Sequence, residues 1–185
     1  METESAIRTS RQDELYQEAA ASHGSALERL VRGYEADPDR CRDLSQEIHL
    51  ALWQSLARFD RRCSLRTWVY RVAHNVAASH VIRDHRRNSR TLVGLETVEV
   101  QAVVEDREQM LDQRQAIERL LQLIQQLKPL DRQVILSRLE DMDAASIAEI
   151  TGISPGNVAT KIHRIKNILA RRFYEGGIHD ERSLQ

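Results

Sequence analysis

The sequence predicts an all-α protein of two helical domains joined by a flexible acidic linker, the second domain built from four helices. Three observations carry that prediction. Gly and Pro together number only 10 of 185 residues, about 5% against the roughly 12% of an average protein, which leaves little room for the many turns of a β fold. Apolar residues recur at helical spacing through two long stretches. Between them, residues 91–106 lose the period and carry Gly94 and scattered acids. A balance of 41% hydrophobic and 30% charged residues argues against wholesale disorder. No run of about 18 apolar residues predicts a membrane span, and the polar stretch Met1–Glu14 has no apolar core of a leader. Cys41 and Cys63 lie 22 apart without a CxxC pair, so neither a disulfide framework nor a zinc knuckle is expected. A reducing cytoplasm is the expected setting.

The first domain is expected over 1–90. From Asp13 to Tyr34 the apolar residues Leu15, Tyr16, Ala19, Ala20, Leu27, Leu30, Val31 and Tyr34 form a helical stripe, with an interruption expected at Gly24. Ala36-Asp37-Pro38-Asp39 reads as a turn and helix start. A second helix follows from about Arg40 to Leu56, with Leu44, Ile48, Leu52 and Leu56 on one side. Phe59 to Cys63 breaks the period and reads as a loop. Ser64 is expected to cap a third helix reaching about Arg87, with Leu65, Val69, Val72, Val76 and Ile82 inward. After the linker, the second domain is expected over 107–175 and a tail over 176–185. Its first helix runs from Arg107 through Ile117, Leu120, Leu121, Ile124 and Leu127 and stops at Pro129; another covers roughly Asp131–Leu139.

The most informative segment begins at Asp143, a cap for a short helix with Ile147, Ala148 and Ile150 inward. Thr151-Gly152-Ile153 supplies a tight turn, Ser154 a second cap, and Pro155 the first position of the next helix. Val158, Ile162, Ile165 and Leu169 then share one face, while Gly156, Asn157, Thr160, His163, Arg164, Asn167 and Arg171 share the other. Cap, turn glycine, second cap and polar cationic face, in that order, make a helix-turn-helix. Its exposed face suits the major groove of DNA.

Charge is strongly segregated behind a net −1. Residues 58–90 carry +7 from nine arginines, and residues 154–172 carry +5 with no acid, whereas residues 1–57 and 91–118 each carry −5. Two basic blocks flanked by acid read as two surfaces for a polyanion. In the first, Arg58 to Asn75 interleaves cations with aromatics, a composition suited to single-stranded nucleic acid. Trp68, at helical spacing, reads as a core residue before a stacking platform. Just upstream, Asp43, Gln46, Glu47 and Leu50 form a stripe at i, i+3, i+4, i+7 that would suit a protein partner.

At these residues the sequence resembles the extracytoplasmic-function sigma factors of the sigma-seventy family. Asp43-Leu-Ser-Gln-Glu47 through Trp53 is similar to the helix that grips the β′ clamp of RNA polymerase. Phe59 to Arg66 resembles the loop that captures a flipped base of the minus-ten element, and Thr67 to Asn75 the helix lying along the melted strand. Ser45 and His74 depart from the residues common at those places. The resemblance implies polymerase contacts from Asp43, Gln46, Glu47, Leu50 and Trp53. It implies minus-ten contacts from Arg58, Arg61, Arg62, Ser64, Arg66, Arg71, Asn75, Arg83, Arg86 and Arg87. Minus-thirty-five contacts are implied for Ser154, Gly156, Asn157, Ala159, Thr160, Lys161, His163, Arg164 and Asn167. The implied partners are bacterial core polymerase through its β′ clamp and β flap, promoter DNA, and an anti-sigma factor.

The expected function is thus promoter recognition and melting in transcription initiation, by a subunit that is not an enzyme. The alternative is an autonomous helix-turn-helix regulator binding an operator as a dimer, for which the Arg/aromatic loop and acidic stripe have no use. A nuclease would need clustered carboxylates. No cofactor or metal is expected: His49, His74, His80 and His85 sit among arginines and read as solvated or phosphate-facing, and Cys63 as an inert loop cysteine.

Overall fold

The computed structural model describes residues 2–91 and 110–182. These form seven helices: α1 (Glu2–Tyr34), α2 (Pro38–Leu56), α3 (Leu65–Thr91), α4 (Met110–Gln125), α5 (Pro129–Leu139), α6 (Ala144–Thr151) and α7 (Pro155–Arg182). No strand occurs among the described residues. The expected linker falls almost wholly outside them, as do residues 107–109. α1–α3 pack on one another, α4–α7 do the same, and the two halves meet through α1 and α3 against α4, α5 and α6.

α1 runs unbroken through Gly24, contrary to the interruption expected there, and begins near the N-terminus rather than at Asp13. A helical glycine costs about 1 kcal/mol relative to alanine. Burial of Ala19, Ala26, Leu27, Leu30, Val31 and Tyr34 outweighs it, since each large apolar side chain contributes about 1.5–3 kcal/mol. Asp37 caps α2, its carboxylate accepting from the N–H groups of Asp39 and Arg40 at 2.9 Å. Pro38 takes the first turn, so the helix starts two residues before the expected Arg40. Leu44, Ile48, Leu52 and Leu56 are buried, as the stripe requires.

α3 differs most from expectation. Its buried residues are Thr67, Val69, Tyr70, Ala73, His74, Ala77 and His80, whereas Ile82 is exposed and Leu65, Val72 and Val76 are half-buried. The inward face is rotated because tyrosine and histidine belong to it. Ile82 lies two residues, about 200°, beyond His80 and so points away. His74 and His80 are therefore neither solvated nor phosphate-facing. Ile117, expected inward on α4, is likewise exposed.

The helix-turn-helix forms as its residues dictate. Asp143 accepts from Ser146 N–H at 2.8 Å, which holds its carboxyl below the usual range. Ser154 accepts from Asn157 N–H at 3.3 Å. Gly152 adopts φ 74°, and its N–H closes α6 on Ala148 O. Ile147, Ile150, Val158, Ile165 and Leu169 are buried between the helices, with Ile162 half-buried. α7 continues to Arg182, past residue 175 where a tail was expected. Because Gly152 has a left-handed backbone with open space around its Cα, strain alone governs substitution there. Gly152→Ala should cost about 1 kcal/mol, read as a fall of a few degrees in Tm with unchanged helix content. An unchanged Tm would show that the turn relaxes to another conformation.

Candidate nucleic-acid and polymerase interface

The loop between α2 and α3 is pinned at both ends. Phe59 is buried and packs on Trp68 with ring centroids 5.4 Å apart, and the Trp68 indole donates to Ser55 Oγ at 3.0 Å. Trp68 thus anchors the loop as a core-side residue. At the far end Ser64 Oγ accepts from Thr67 N–H at 3.0 Å and pairs with the Thr67 hydroxyl. Between the anchors Asp60 accepts from Arg62 N–H and pairs with the Arg62 guanidinium, both at 3.1 Å. Arg61 takes φ 62°, a left-handed conformation costing about 1–2 kcal/mol for a side-chain-bearing residue. The outcome is a loop pinned at both ends that presents Arg58, Arg61, Arg62 and Ser64 to solvent.

The rest of the first basic block divides. Asn75 and Arg83 are exposed on α3, and the Arg83 guanidinium pairs with Glu47 at 2.5 Å. Glu47, Leu50, Asn75 and Arg83 line one open groove between α2 and α3, so the structure brings two residues of the acidic stripe beside two of the basic face. Asp43, Gln46 and Leu50 project from α2, Leu50 being 58% exposed. Trp53 is instead half-buried, its indole donating to Asp13 at 2.8 Å and its carbonyl accepting from Gln12 at 2.7 Å. Arg66 and Arg71 turn toward the second half. Arg66 donates to Glu140 O, and Arg71 lies over the Trp68 ring and 3.9 Å from Glu149. Arg86 and Arg87 fall on the last turns of α3, and their side chains lie outside the described residues.

At the cap of α7 and along it, Ser154, Gly156, Asn157, Ala159, Thr160, His163, Arg164 and Asn167 are all exposed. Gly156 meets nothing within 4 Å of where a Cβ would stand. Thr160 bonds back to Gly156 O at 3.0 Å, and Asn167 pairs with His163 at 3.2 Å. Asp131 of α5, itself buried, braces the helix by accepting from Lys161 at 2.6 Å and Arg164 at 3.0 Å. Lys161 is drawn half inward by that bond, while Arg164 keeps a side chain 57% exposed.

A second set of residues, missed in the sequence, joins the halves. Glu140, just past α5, accepts two bonds from Arg29 at 2.7 Å and one from the Tyr70 hydroxyl at 3.3 Å. His74 is wholly buried, with Tyr34 Oη 3.0 Å from Nδ1 and Ser137 Oγ 2.9 Å from Nε2. Burial lowers the His74 pKa to about 3 and pushes the Tyr34 phenol far above its ordinary value. Tyr70 is pushed up to about 12, by burial first and Glu140 second. Arg132 is buried, stacks over the Tyr34 ring at 5.2 Å, and donates to the carbonyls of Tyr34, Gln125 and Leu127. Gly33 lets α5 approach α1, since a Cβ there would stand 2.6 Å from Leu136 Cδ2. His74 on the Tyr70, Ala73 and Ala77 face was a readable signal for this interface; Glu140 offered none.

Comparison with known families matches residues 19–90 to sigma-70 region 2 and residues 117–169 to sigma-70 region 4. The chain belongs to the sigma-70 family. It is an RNA polymerase sigma factor of the extracytoplasmic-function type, a component of transcription initiation that works with core polymerase and promoter DNA. Region 2 carries the pinned arginine loop and region 4 the helix-turn-helix. Similar proteins include RNA polymerase sigma factor YlaC of Bacillus subtilis, 29% identical over 69% of this chain and 74% of that one. ECF RNA polymerase sigma factor SigC of Mycobacterium tuberculosis is 26% identical over 82% of this chain and 85% of its own. Two solved structures share the fold with a TM-score of 0.64. One is CnrH in complex with the cytosolic domain of CnrY, 22% identical, covering 92% of this sigma factor and 94% of that chain. The other is RpoE of Bartonella quintana in complex with the anti-sigma factor NepR, 17% identical, covering 86% and 96%. No described helix of this sigma factor is long and apolar enough to cross a membrane.

Proposed function

We propose that this sigma factor divides its labour among three surfaces: the α2 stripe of Asp43, Gln46, Glu47 and Leu50 docks on core polymerase, the loop and outer face of α3 hold the melted minus-ten strand, and α7 reads the minus-thirty-five element. The boundaries of that division are 1–90 for region 2 and 107–175 for region 4. The observation that carries it is the pinned loop, in which two anchored ends hold three arginines in solvent with no acid beyond Asp60 among them. Such a loop can grip backbone phosphates without reorganising while an unstacked base is trapped beside it. Flipping a base costs a few kcal/mol, and that cost is met by stacking and phosphate contacts rather than by a chemical step. The protein then needs no catalysis of its own and works in the cytoplasm beside the polymerase. Arg66 and Arg71 are engaged by region 4, so the halves must part before those two side chains meet DNA. A protein inhibitor that holds the halves together is the partner this geometry favours; the RpoE relative was solved with an anti-sigma factor.

The test is reconstitution with core polymerase on genomic fragments, with transcript starts mapped. Discrete starts sharing two upstream motifs are expected. Arg164→Ala should weaken promoter binding by about 1–3 kcal/mol and leave polymerase affinity unchanged. Asp43→Ala with Leu50→Ala should do the reverse; Glu47 is spared in that variant because its loss would also free Arg83. Equal loss of DNA binding by both variants would contradict the division, and tight operator binding as a dimer without polymerase would replace it.

A further inference from the structure

We propose that Glu35, His80 and Asp84 form a binding site for one divalent transition-metal ion, zinc being the best match, which would staple the end of α1 to α3. Glu35 follows α1 directly and is held there by its N–H on Val31 O at 2.9 Å. His80 and Asp84 stand four residues apart on α3, on one face of the helix. One donor atom from each of the three residues lies within 4.8 Å of the other two.

His80 Nε2 decides the chemistry. It lies 3.6 Å from Glu35 Oε2 and 3.7 Å from Asp84 Oδ2, too far for hydrogen bonds of normal geometry. The residue is 9% exposed, and Nε2 is buried without a hydrogen-bond partner. A buried imidazole nitrogen thus faces two carboxylate oxygens and is bonded to neither, and in the tautomer with its proton on Nδ1 it offers them a lone pair and a shared point. Ligands about 2.1 Å from a tetrahedral zinc stand about 3.4 Å from one another, close to the two separations found. An imidazole nitrogen with two carboxylates favours a borderline ion such as zinc over magnesium or calcium, which prefer all-oxygen cages. Water would complete the coordination. Glu35 also borders an open groove shared with Arg32, Pro38, Cys41 and Gln125.

Arg40 is the built-in competitor. Its guanidinium pairs with Glu35 at 3.1 Å and with Asp84, and one positive charge there faces two negative ones. The Arg40 side chain is 43% exposed, so it can swing into water when a dication takes its place. Cys41 beside it donates to Glu35 O at 3.2 Å, and burial, then Glu35, pushes its thiol pKa up. Its donor atom is not among the three that converge, and it is not counted as a ligand.

The experiment titrates the untagged full chain with zinc, and in parallel with cobalt, whose visible absorption reports inner-sphere binding. One ion per chain is expected. Zinc at about a hundredfold excess over its Kd should raise Tm by about 5–10 °C, and magnesium at the same concentration should not. His80→Ala should abolish binding with helix content unchanged by circular dichroism. Arg40→Gln, which retains all three ligands and removes the competitor, should tighten binding several-fold. Absence of both cobalt absorption and zinc stabilisation would overturn the site. So would undiminished binding by His80→Ala, or an Arg40→Gln variant that binds no more tightly.

Discussion

Arg132→Ala should destabilise this sigma factor by about 3 kcal/mol. The guanidinium fills a buried space where α1 and α4 end, and three main-chain carbonyls from both halves converge on it. Carbonyls at helix ends have no partner within the helix. Removing the donor leaves them dry and unpaired, and the cation on the Tyr34 ring is lost with it. Each orphaned acceptor costs about 1–3 kcal/mol, only part of which water entering the new cavity restores. Denaturant unfolding would read the loss as a lower midpoint at unchanged slope. Arg132→Lys should recover little, because an ammonium cannot fan out to three carbonyls or stack on tyrosine. A lysine variant as stable as the parent would show that charge alone matters at this point.

Acid should open the molecule before it unfolds it. His74 has a pKa of about 3 between the halves against an ordinary 6.5, so the closed arrangement excludes its proton and the opened one accepts it. Its contribution is therefore complete above pH 6.5 and is lost as pH falls from 6.5 toward 3. At pH 5 that loss is about 2 kcal/mol. His23, lowered by burial and then by Arg66, acts in the same direction. The groups around His74 are Tyr34, Tyr70 and Ser137, and neither tyrosine titrates in this window. Distance measurements between labels on the two halves, taken at pH 7.5 and pH 5, should show separation at the lower value. In His74→Gln, whose amide can bond both neighbours but cannot charge, the dependence should flatten. The same slope in both proteins would assign the opening to another group.

The sequence by itself determined the helices and their caps. Asp37, Ser64, Asp143 and Ser154 accept the helix-start N–H groups within one turn, an interaction that needs no distant residue. The aliphatic stripes of α2 and α7 were legible for the same reason, because periodicity alone assigns their buried face. The family and its function followed from local motifs, and Arg58, Arg61, Arg62 and most of the α7 face are exposed. Only the tertiary structure decided which face of α3 is inward, because that face is built from tyrosine and histidine whose burial depends on partners across the molecule. The same holds for Arg66, Arg71 and Lys161, which a linear reading groups with exposed cations. Each is claimed by an atom far along the chain: Glu140 O, Glu149 and Asp131. A carboxylate or carbonyl more than 25 residues away leaves no trace in local pattern, and two of those distant pairings, from Arg66 and Arg71, help hold the two halves of this sigma factor closed.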